Sequence, residues 1–317
     1  MKRLIVLAAL ALAALPAAAQ QYPSKPIRMV VPFPPSGAAD LTARTFVAPL
    51  SQALGTQVVL ENKAGADGAI AGLDVMKAAP DGYTLLFGTN TGMCAAPALR
   101  KTPPYDPIAD FTPIALVGKF GFFMFVHESV PAKSVAELIE HAKKNPGKIN
   151  YGTGNATSIL ATAQFAQGAG IQLVHIPYKG DAPATIDFVA GRVQLLIGTP
   201  GTVLPHVKEG KARVLATLLS ARSPLLPDAP TLAEAGQKPM PVQPFGAVYG
   251  PAKMPKEIVD KIARAVQAVM AQQAVKDGVA RYAFEAQSST PEELAAFHKV
   301  QFDVWKRSAK ELNLQVD

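Results

Sequence analysis

Short apolar runs of strand length alternate with segments of helical spacing along most of the chain. Residues 27–31, 57–61 and 83–87 are typical of buried strands, whereas residues 41–50 and 69–79 are typical of helices. Strand–helix–strand repetition with short turns predicts a parallel sheet with right-handed crossovers. In such a sheet, a ligand binds beyond the carboxyl ends of the strands.

The same alternation resumes after residue 122 and predicts a second α/β unit. Its first helix begins with a capping box at Ser134, and a proline-rich stretch over residues 224–244 includes a short predicted helix at residues 232–235. Further strands are predicted at residues 114–117, 122–126, 148–151, 173–178, 193–197, 214–219 and 245–249.

Two amphipathic helices are predicted at the end of the chain. One covers residues 256–273, and the other begins at a capping box on Thr290. In this last helix, apolar side chains recur at helical spacing, so we expect core packing from Leu294, Phe297, Val300, Phe302, Val304 and Trp305.

The first twenty residues have the pattern of a secretory signal peptide. Lys2 and Arg3 precede an apolar run over residues 4–15, and residues 17–19 are alanines suited to cleavage. We therefore expect residues 1–20 to be removed and the remainder to be exported. Because a chain of 317 residues exceeds what one hydrophobic core organises, we expect two lobes, residues 21–122 with 246–317 and residues 123–245.

Composition argues against several classes of function. The formal net charge of +7 comes without a basic run or interleaved aromatic residues, so nucleic acid is not an expected partner. Cys94 is the single cysteine, which excludes an internal disulfide and favours a buried small residue. The five histidines lack metal-ligand spacing and there is no nucleophile elbow, so we expect no metal, no cofactor and no enzyme activity.

The loop after the first strand is the clearest candidate for a binding site. Three prolines at positions 32, 34 and 35 stiffen it, and the residues that follow offer backbone N–H groups at a helix N-terminus, where an anion is favoured. These donors would come from Ser36, Gly37, Ala38 and Ala39. The pattern indicates a carboxylate site, although an ordinary strand-to-helix loop is an open alternative. Asp40 is expected to cap or order this loop rather than to catalyse.

Three further loops with hydroxyls, amides and small residues follow predicted strands. They are residues 89–91, 153–158 and 178–181, and their candidate ligand-binding residues are Thr89, Asn90, Thr91, Thr153, Asn155, Thr157, Ser158, Tyr178, Lys179, Gly180 and Asp181. Such groups suit reversible binding through hydrogen bonds. They lack the acid, base and nucleophile that turnover needs.

Several motifs in a fixed order resemble one known family. They are Val-Val-Pro-Phe-Pro-Pro-Ser-Gly at residues 30–37 with Asp40 and Arg44, Glu-Asn-Lys-Ala-Gly at 61–65, Ala-Pro-Asp-Gly-Tyr-Thr-Leu-Leu at 79–86, Tyr-Asp-Pro at 105–107, Asp-Phe-Thr-Pro at 110–113 and Pro-Tyr-Lys-Gly at 177–180. Across the whole mature chain, the sequence resembles the exported substrate-binding receptors of tripartite tricarboxylate transporters, the Bug family.

The resemblance implies a type II periplasmic-binding-protein fold, in which two α/β lobes joined by two crossings close on a ligand like a Venus flytrap. It also implies a periplasmic location, a small organic carboxylate as ligand, the permease subunits of a tripartite transporter as partners, and no cofactor; a monomer suits closure of this kind. One ligand carboxylate would be held by main-chain N–H groups and ordered water at Phe33, Ser36, Gly37 and Ala38.

The chain departs from the family pattern at three places, and two other functions stay open. Ser36 stands where the family typically has glycine, Ile159 and Leu160 stand where it has histidine, and residues 198–201 lack its Asp/Ser pattern. Ile159 and Leu160 in place of histidine make the neighbouring wall of the site less polar than in the family, which suggests a ligand with an apolar body. The alternatives are a receptor that presents its ligand to a membrane sensor kinase, and an exported hydrolase or isomerase using Ser36 or Asp181.

Overall fold

The structure, a computed structural model, describes residues 22–219 and 221–314. The signal peptide predicted over residues 1–20 lies outside the described residues. Within the described part, the chain forms two mixed β-sheets of six and five strands with helices packed against them. No helix in this part is long and apolar enough to cross a membrane.

The first sheet begins with three parallel strands, as the hydrophobic pattern predicts. They are β1 (Ile27–Val31), β2 (Val58–Asn62) and β3 (Thr84–Thr89), and they alternate with α1 (Ala38–Leu54) and α2 (Ala69–Met76). The chain continues through a π-helical turn (Thr91–Ala95) into α3 (Ala96–Leu99) and then β4 (Phe111–Phe120). The sheet is completed by β10 (Phe245–Pro251) and β11 (Phe284–Ala286), in the order β11-β4-β10-β3-β1-β2.

The second sheet holds five strands in the order β7-β6-β8-β5-β9. The strands are β5 (Phe123–His127), β6 (Asn150–Thr153), β7 (Val174–Pro177), β8 (Leu195–Gly198) and β9 (Ala212–Thr217). The helices between them are α4 (Val135–Lys144), α5 (Ala156–Ala169), α6 (Asp181–Val189) and α7 (Leu204–Lys208). In this sheet, β6 pairs in parallel with β7 and with β8, whereas β5 pairs antiparallel with β8.

Both sheets contain strands that reverse the parallel pattern, so the prediction of a parallel sheet was incomplete. In the first sheet, β10 lies between β3 and β4 and is antiparallel to both, and the edge strand β11 is antiparallel to β4. In the second sheet, β5 lies between β8 and β9 and is antiparallel to both. The chain passes between the sheets at residues 121–122 and again at residues 218–244. This is the expected two-lobed α/β architecture. Within the described residues, we propose lobes of residues 22–122 with 246–314 and of residues 123–219 with 221–245.

Two local predictions were wrong, and a third was incomplete. Residues 232–235 form a turn rather than a helix: Thr231 and Glu234 make the reciprocal hydrogen bonds of a helix start, but Gly236 ends the turn at a φ of 74°. The stretch after Thr89 is helical rather than a loop. The helix predicted over residues 256–273 is α8 (Lys256–Met270), and the separate helix α9 (Gln273–Ala280) and strand β11 were not predicted.

The last helix, α10 (Pro291–Glu311), packs on the first sheet as its apolar spacing predicts. Its capping box on Thr290 is present, and Leu294 and Trp305 are fully buried. Val300, which we expected in the core, is instead 59% exposed. His298 of the same helix is also buried, and its Nε2 bonds the carbonyl of Met93 at 3.0 Å.

Candidate ligand cleft between the two sheets

One cleft collects the loops at the carboxyl ends of β1, β3, β6, β7 and β8. It spans about 630 Å³, part of which is open to solvent. Its walls, which define "the cleft" below, are Phe33, Pro34, Pro35, Gly37, Ala38, Ala39, Thr89, Asn90, Thr91, Phe120, Phe122, Gly154, Asn155, Thr157, Lys179, Gly180, Asp181, Ala182, Pro183 and Thr199. Both sheets therefore contribute to the same space.

The N-terminus of α1 opens into this cleft. Gly37 is the N-cap residue in an extended conformation, and the first intrahelical bond runs from the Leu41 amide to the Gly37 carbonyl. Within the described chain, the amides of Ala38 and Ala39 donate to no protein acceptor. Free first-turn N–H groups and the helix dipole together favour an anion at this position.

Asp40 orders the loop before α1, as predicted. Its carboxylate is 1% exposed and accepts hydrogen bonds from the Ser36 amide at 2.9 Å, from Arg44 Nε at 2.9 Å and from Asn62 Nδ2 at 2.9 Å. Burial alone raises the pKa of Asp40, but the bonds from Arg44, Asn62 and the Ser36 amide outweigh burial and lower that pKa. The Ser36 amide is therefore occupied by Asp40, and Ser36 itself lies outside the cleft walls.

Polar residues after β3 join the two walls of the cleft. Asn90 Nδ2 donates to the Thr157 hydroxyl at 2.5 Å, and Asn90 Oδ1 accepts the Phe245 amide at 3.3 Å. The hydroxyls of Thr91 and Thr157 are 3.2 Å apart. The hydroxyl of Thr89 is buried without a partner among the described residues. Asn90 and Thr91 therefore hold the sheets together here.

The opposite wall is organised by a carboxylate, that of Asp181 at the start of α6. Asn155, the N-cap of α5, donates from Nδ2 to Asp181 Oδ1 at 3.1 Å, and the Thr199 hydroxyl donates to Asp181 Oδ2 at 2.7 Å. Burial raises the pKa of Asp181, and these two hydrogen bonds only partly oppose that rise. Gly154 leaves room for this arrangement, since a Cβ there would lie 2.4 Å from the Asp181 amide nitrogen.

The remaining walls are apolar except for one cation. Phe33, Phe120 and Phe122 line the cleft together with prolines 34, 35 and 183. Lys179 lines it as well and is exposed to solvent. An apolar middle between a helix N-terminus and charged side chains fits a small amphipathic anion better than a neutral polar solute.

Eleven of the sixteen predicted site residues line the cleft, namely Phe33, Gly37, Ala38, Thr89, Asn90, Thr91, Asn155, Thr157, Lys179, Gly180 and Asp181. The other five lie elsewhere. Besides Ser36 and Asp40, the Thr153 hydroxyl lies 2.7 Å from His175 Nε2, and the Tyr178 hydroxyl donates to Asp187 Oδ2 at 2.7 Å. Ser158 faces a smaller cavity behind the cleft.

Sequence reasoning missed five cleft residues, namely Phe120, Phe122, Ala182, Pro183 and Thr199. Phe120 ends β4 and Phe122 lies in the first crossing between the sheets, so their place at that crossing was the available signal. Thr199 directly follows β8, at the same strand end that the other loops share. No group of three or more metal-ligating side chains occurs among the residues that the structure describes.

Comparison with known proteins identifies the family. A family profile described as "Tripartite tricarboxylate transporter family receptor" matches residues 42–314. Protein BugT of Bordetella pertussis (strain Tohama I) is 34% identical over 281 residues, covering 88% of this chain and 85% of BugT.

Two solved structures are similar to this chain in both sequence and fold. R. palustris Rpa4515 with adipate is 31% identical, with a TM-score of 0.88 over 93% of this chain and 99% of that one. MatC (Rpa3494) from Rhodopseudomonas palustris with bound malate is 27% identical, with a TM-score of 0.83 over 90% of this chain and 99% of that one. The chain, with its two lobes and shared cleft, belongs to the tripartite tricarboxylate transporter receptor family, whose members are periplasmic solute-binding proteins.

Proposed function

We propose that the chain is a periplasmic receptor that binds a small organic carboxylate in the cleft and delivers it to the membrane subunits of a tripartite transporter. In this proposal, the receptor acts as a monomer and does not transform its ligand. The observation that supports it most directly is the pair of amides at Ala38 and Ala39, which have no partner among the described residues and open into the cleft.

The chemistry of the walls supports an anionic ligand. The amides at the start of α1 and the ammonium group of Lys179 both favour negative charge. The buried, unpartnered hydroxyl of Thr89 belongs to the same walls and would gain a partner from a ligand oxygen or a bridging water. Two structural relatives hold adipate and malate, both small carboxylates.

Closure of the lobes would couple binding to delivery. Hydrogen bonds of Thr157 with Asn90 and with Thr91 join residues on the two sides of the cleft. A ligand that contacts both sides stabilises the closed arrangement by its differential contacts, and the closed form is the one that a transporter can distinguish. We propose this as the mechanism of transfer.

Thermal-shift and calorimetric titrations test the binding half of the proposal. The protein is unfolded, dialysed and refolded to remove bound ligand, and is then offered monocarboxylates, dicarboxylates, aromatic acids and amino acids beside their neutral amides. We expect micromolar binding, about 8 kcal/mol, for at least one carboxylate and none for its amide. Binding of amides but not of carboxylates would overturn the proposal.

Delivery is tested separately in cells. Deleting the gene in its host should abolish uptake of the labelled ligand identified above, and a plasmid copy should restore it. If uptake continues unchanged in the deletion strain while the purified protein still binds the ligand, the transport role is wrong although the binding role stands.

A further inference from the structure

We propose that Asp181 selects the ligand: the ligand whose carboxylate is bound at α1 also carries an ammonium group, and Asp181 binds that ammonium group. This inference rests on the proposed function, because it assumes that a carboxylate occupies the N-terminus of α1. It adds a second recognition point on the other lobe and narrows the ligand class to zwitterions, such as amino acids, over dicarboxylates.

The position of Asp181 is the first argument. It lies between the cleft and a second space of about 270 Å³, here called the inner cavity, and lines both. The inner cavity is partly open to solvent, and it is lined by Phe125, Gly152, Gly154, Ser158, Asp181, Ala184, Thr185, Leu196, Ile197, Gly198, Thr199, Thr202 and Val203. A ligand group that crosses the cleft away from α1 therefore meets this carboxylate before it meets the interior of the lobe.

The bonding of Asp181 is the second argument. Its two oxygens accept one hydrogen bond each, both from neutral donors, Asn155 and Thr199. A carboxylate can accept about four, so acceptor capacity remains. No lysine, arginine or histidine forms an ion pair with Asp181 within the described chain, whereas Asp187 on the same helix pairs with Arg192.

Electrostatics give the third argument. Burial raises the pKa of Asp181, because the hydrogen bonds from Asn155 and Thr199 compensate its negative charge only in part. A second carboxylate on the ligand would place a like charge in the same poorly screened space, whereas an ammonium group would neutralise Asp181 and donate up to three hydrogen bonds. Hydroxyls of Thr185 and Thr202, 2.8 Å apart beside the inner cavity, offer further acceptors.

Two ligand series of matched length test the inference by calorimetry. One contains butyrate, γ-aminobutyrate and succinate, and the other contains caproate, ε-aminocaproate and adipate. They are titrated into the wild-type protein, into Asp181→Asn, which keeps the shape but removes the charge, and into Asp228→Asn, which makes the same change on an exposed residue of the same lobe. Circular dichroism confirms that each variant is folded.

We expect the amino acid of at least one series to bind the wild type about tenfold or more tightly than its dicarboxylate. Asp181→Asn should remove or reverse that preference, and Asp228→Asn should leave it unchanged.

Three results would contradict these statements in distinguishable ways. A wild-type protein that binds dicarboxylates as tightly as amino acids overturns the inference and leaves the receptor function intact. A preference that survives in Asp181→Asn removes Asp181 from the explanation. Failure of every carboxylate to bind overturns the proposed function and, with it, the inference. Should Asp181→Asn not fold, the ranking in the wild type still decides whether zwitterions are preferred.

Discussion

Replacing Ala38 with proline removes one backbone donor from the cleft and should leave α1 intact. Ala38 is the first residue of the helix, the position at which proline is tolerated best, because its N–H has no intrahelical partner. The preceding residue, Gly37, has a φ of −75° and a ψ of 163°, the extended conformation that a following proline requires. The substitution therefore tests the amide, not the helix.

The expected magnitude follows from the bond that is lost. A hydrogen bond to a charged group contributes about 1.5–3 kcal/mol, and each 1.4 kcal/mol is about tenfold in affinity. We expect Ala38→Pro to raise the Kd for the carboxylate about 10- to 150-fold. The free energy of unfolding should change by less than about 1 kcal/mol.

Calorimetric titration of Ala38→Pro beside Ala38→Val, which adds similar bulk but keeps the backbone N–H, separates loss of the donor from crowding by the proline ring. If bulk alone obstructs the cleft, both variants should lose affinity for the carboxylate equally. Gln273→Pro is the matched control, because Gln273 is the exposed first residue of α9, away from the cleft. Unchanged carboxylate affinity in a folded Ala38→Pro protein would refute the role of this helix N-terminus.

Three further predictions concern backbone strain, packing and pH. Ser36 has a φ of 67°, so Ser36→Gly should relieve the strain of a left-handed backbone conformation. Calorimetry should show a protein about 0.5 kcal/mol more stable, with unchanged affinity for the ligand, and a loss of stability would contradict this prediction. Gly154→Ala would press a Cβ against Asp181 and should lower the free energy of unfolding by about 1–3 kcal/mol and weaken ligand binding. Gly168→Ala, which has open space around it, should do neither. Equal stability of the two variants would contradict the packing argument. Burial lowers the pKa of His298 from its ordinary value of 6.5 despite the bond to Met93, so the unfolded chain takes up a proton at a higher pH than the folded protein does. The free energy of unfolding should therefore fall as the pH drops below about 6.5. Chemical denaturation should show a weaker fall for His298→Gln, and an identical pH dependence of the two proteins would contradict the assignment.

The strands and helices of the two lobes were predictable where short apolar runs lie between turns. Strands β1 to β3 are of this kind, and their parallel pairing followed from the helices between them. The antiparallel insertion of β10 was not predictable, because its neighbours β3 and β4 lie far away in sequence and local composition does not encode pairing direction.

Tertiary contacts overrode local propensity after Thr89. The helical turn Thr91–Ala95 contains Gly92 and small residues, which predict a loop. In the structure, the Tyr105 hydroxyl donates to the Gly92 carbonyl at 2.7 Å, and His298 bonds the carbonyl of Met93. Distant side chains therefore satisfy the backbone of this turn, and no local pattern reports them.

The candidate site was predictable in its loops but not in its internal partners. Strand ends identified Ala38, Asn155 and Asp181 as cleft residues because parallel sheets gather these ends together. That the Ser36 amide is taken by Asp40 depends on a left-handed backbone at Ser36, which residue identity does not specify.

The placement of β10 has a consequence for the order in which the chain can fold. Strands β5 to β9 are contiguous, so their sheet can assemble as soon as residue 217 has emerged, but β3 and β4 keep open hydrogen-bonding edges until residues 245–251 arrive. Such edges are templates for pairing with other chains. Because strands β5 to β9 are contiguous in sequence, we expect their sheet to become protected before the first sheet in pulsed hydrogen exchange during refolding; simultaneous protection of β1 and β6 would contradict this order.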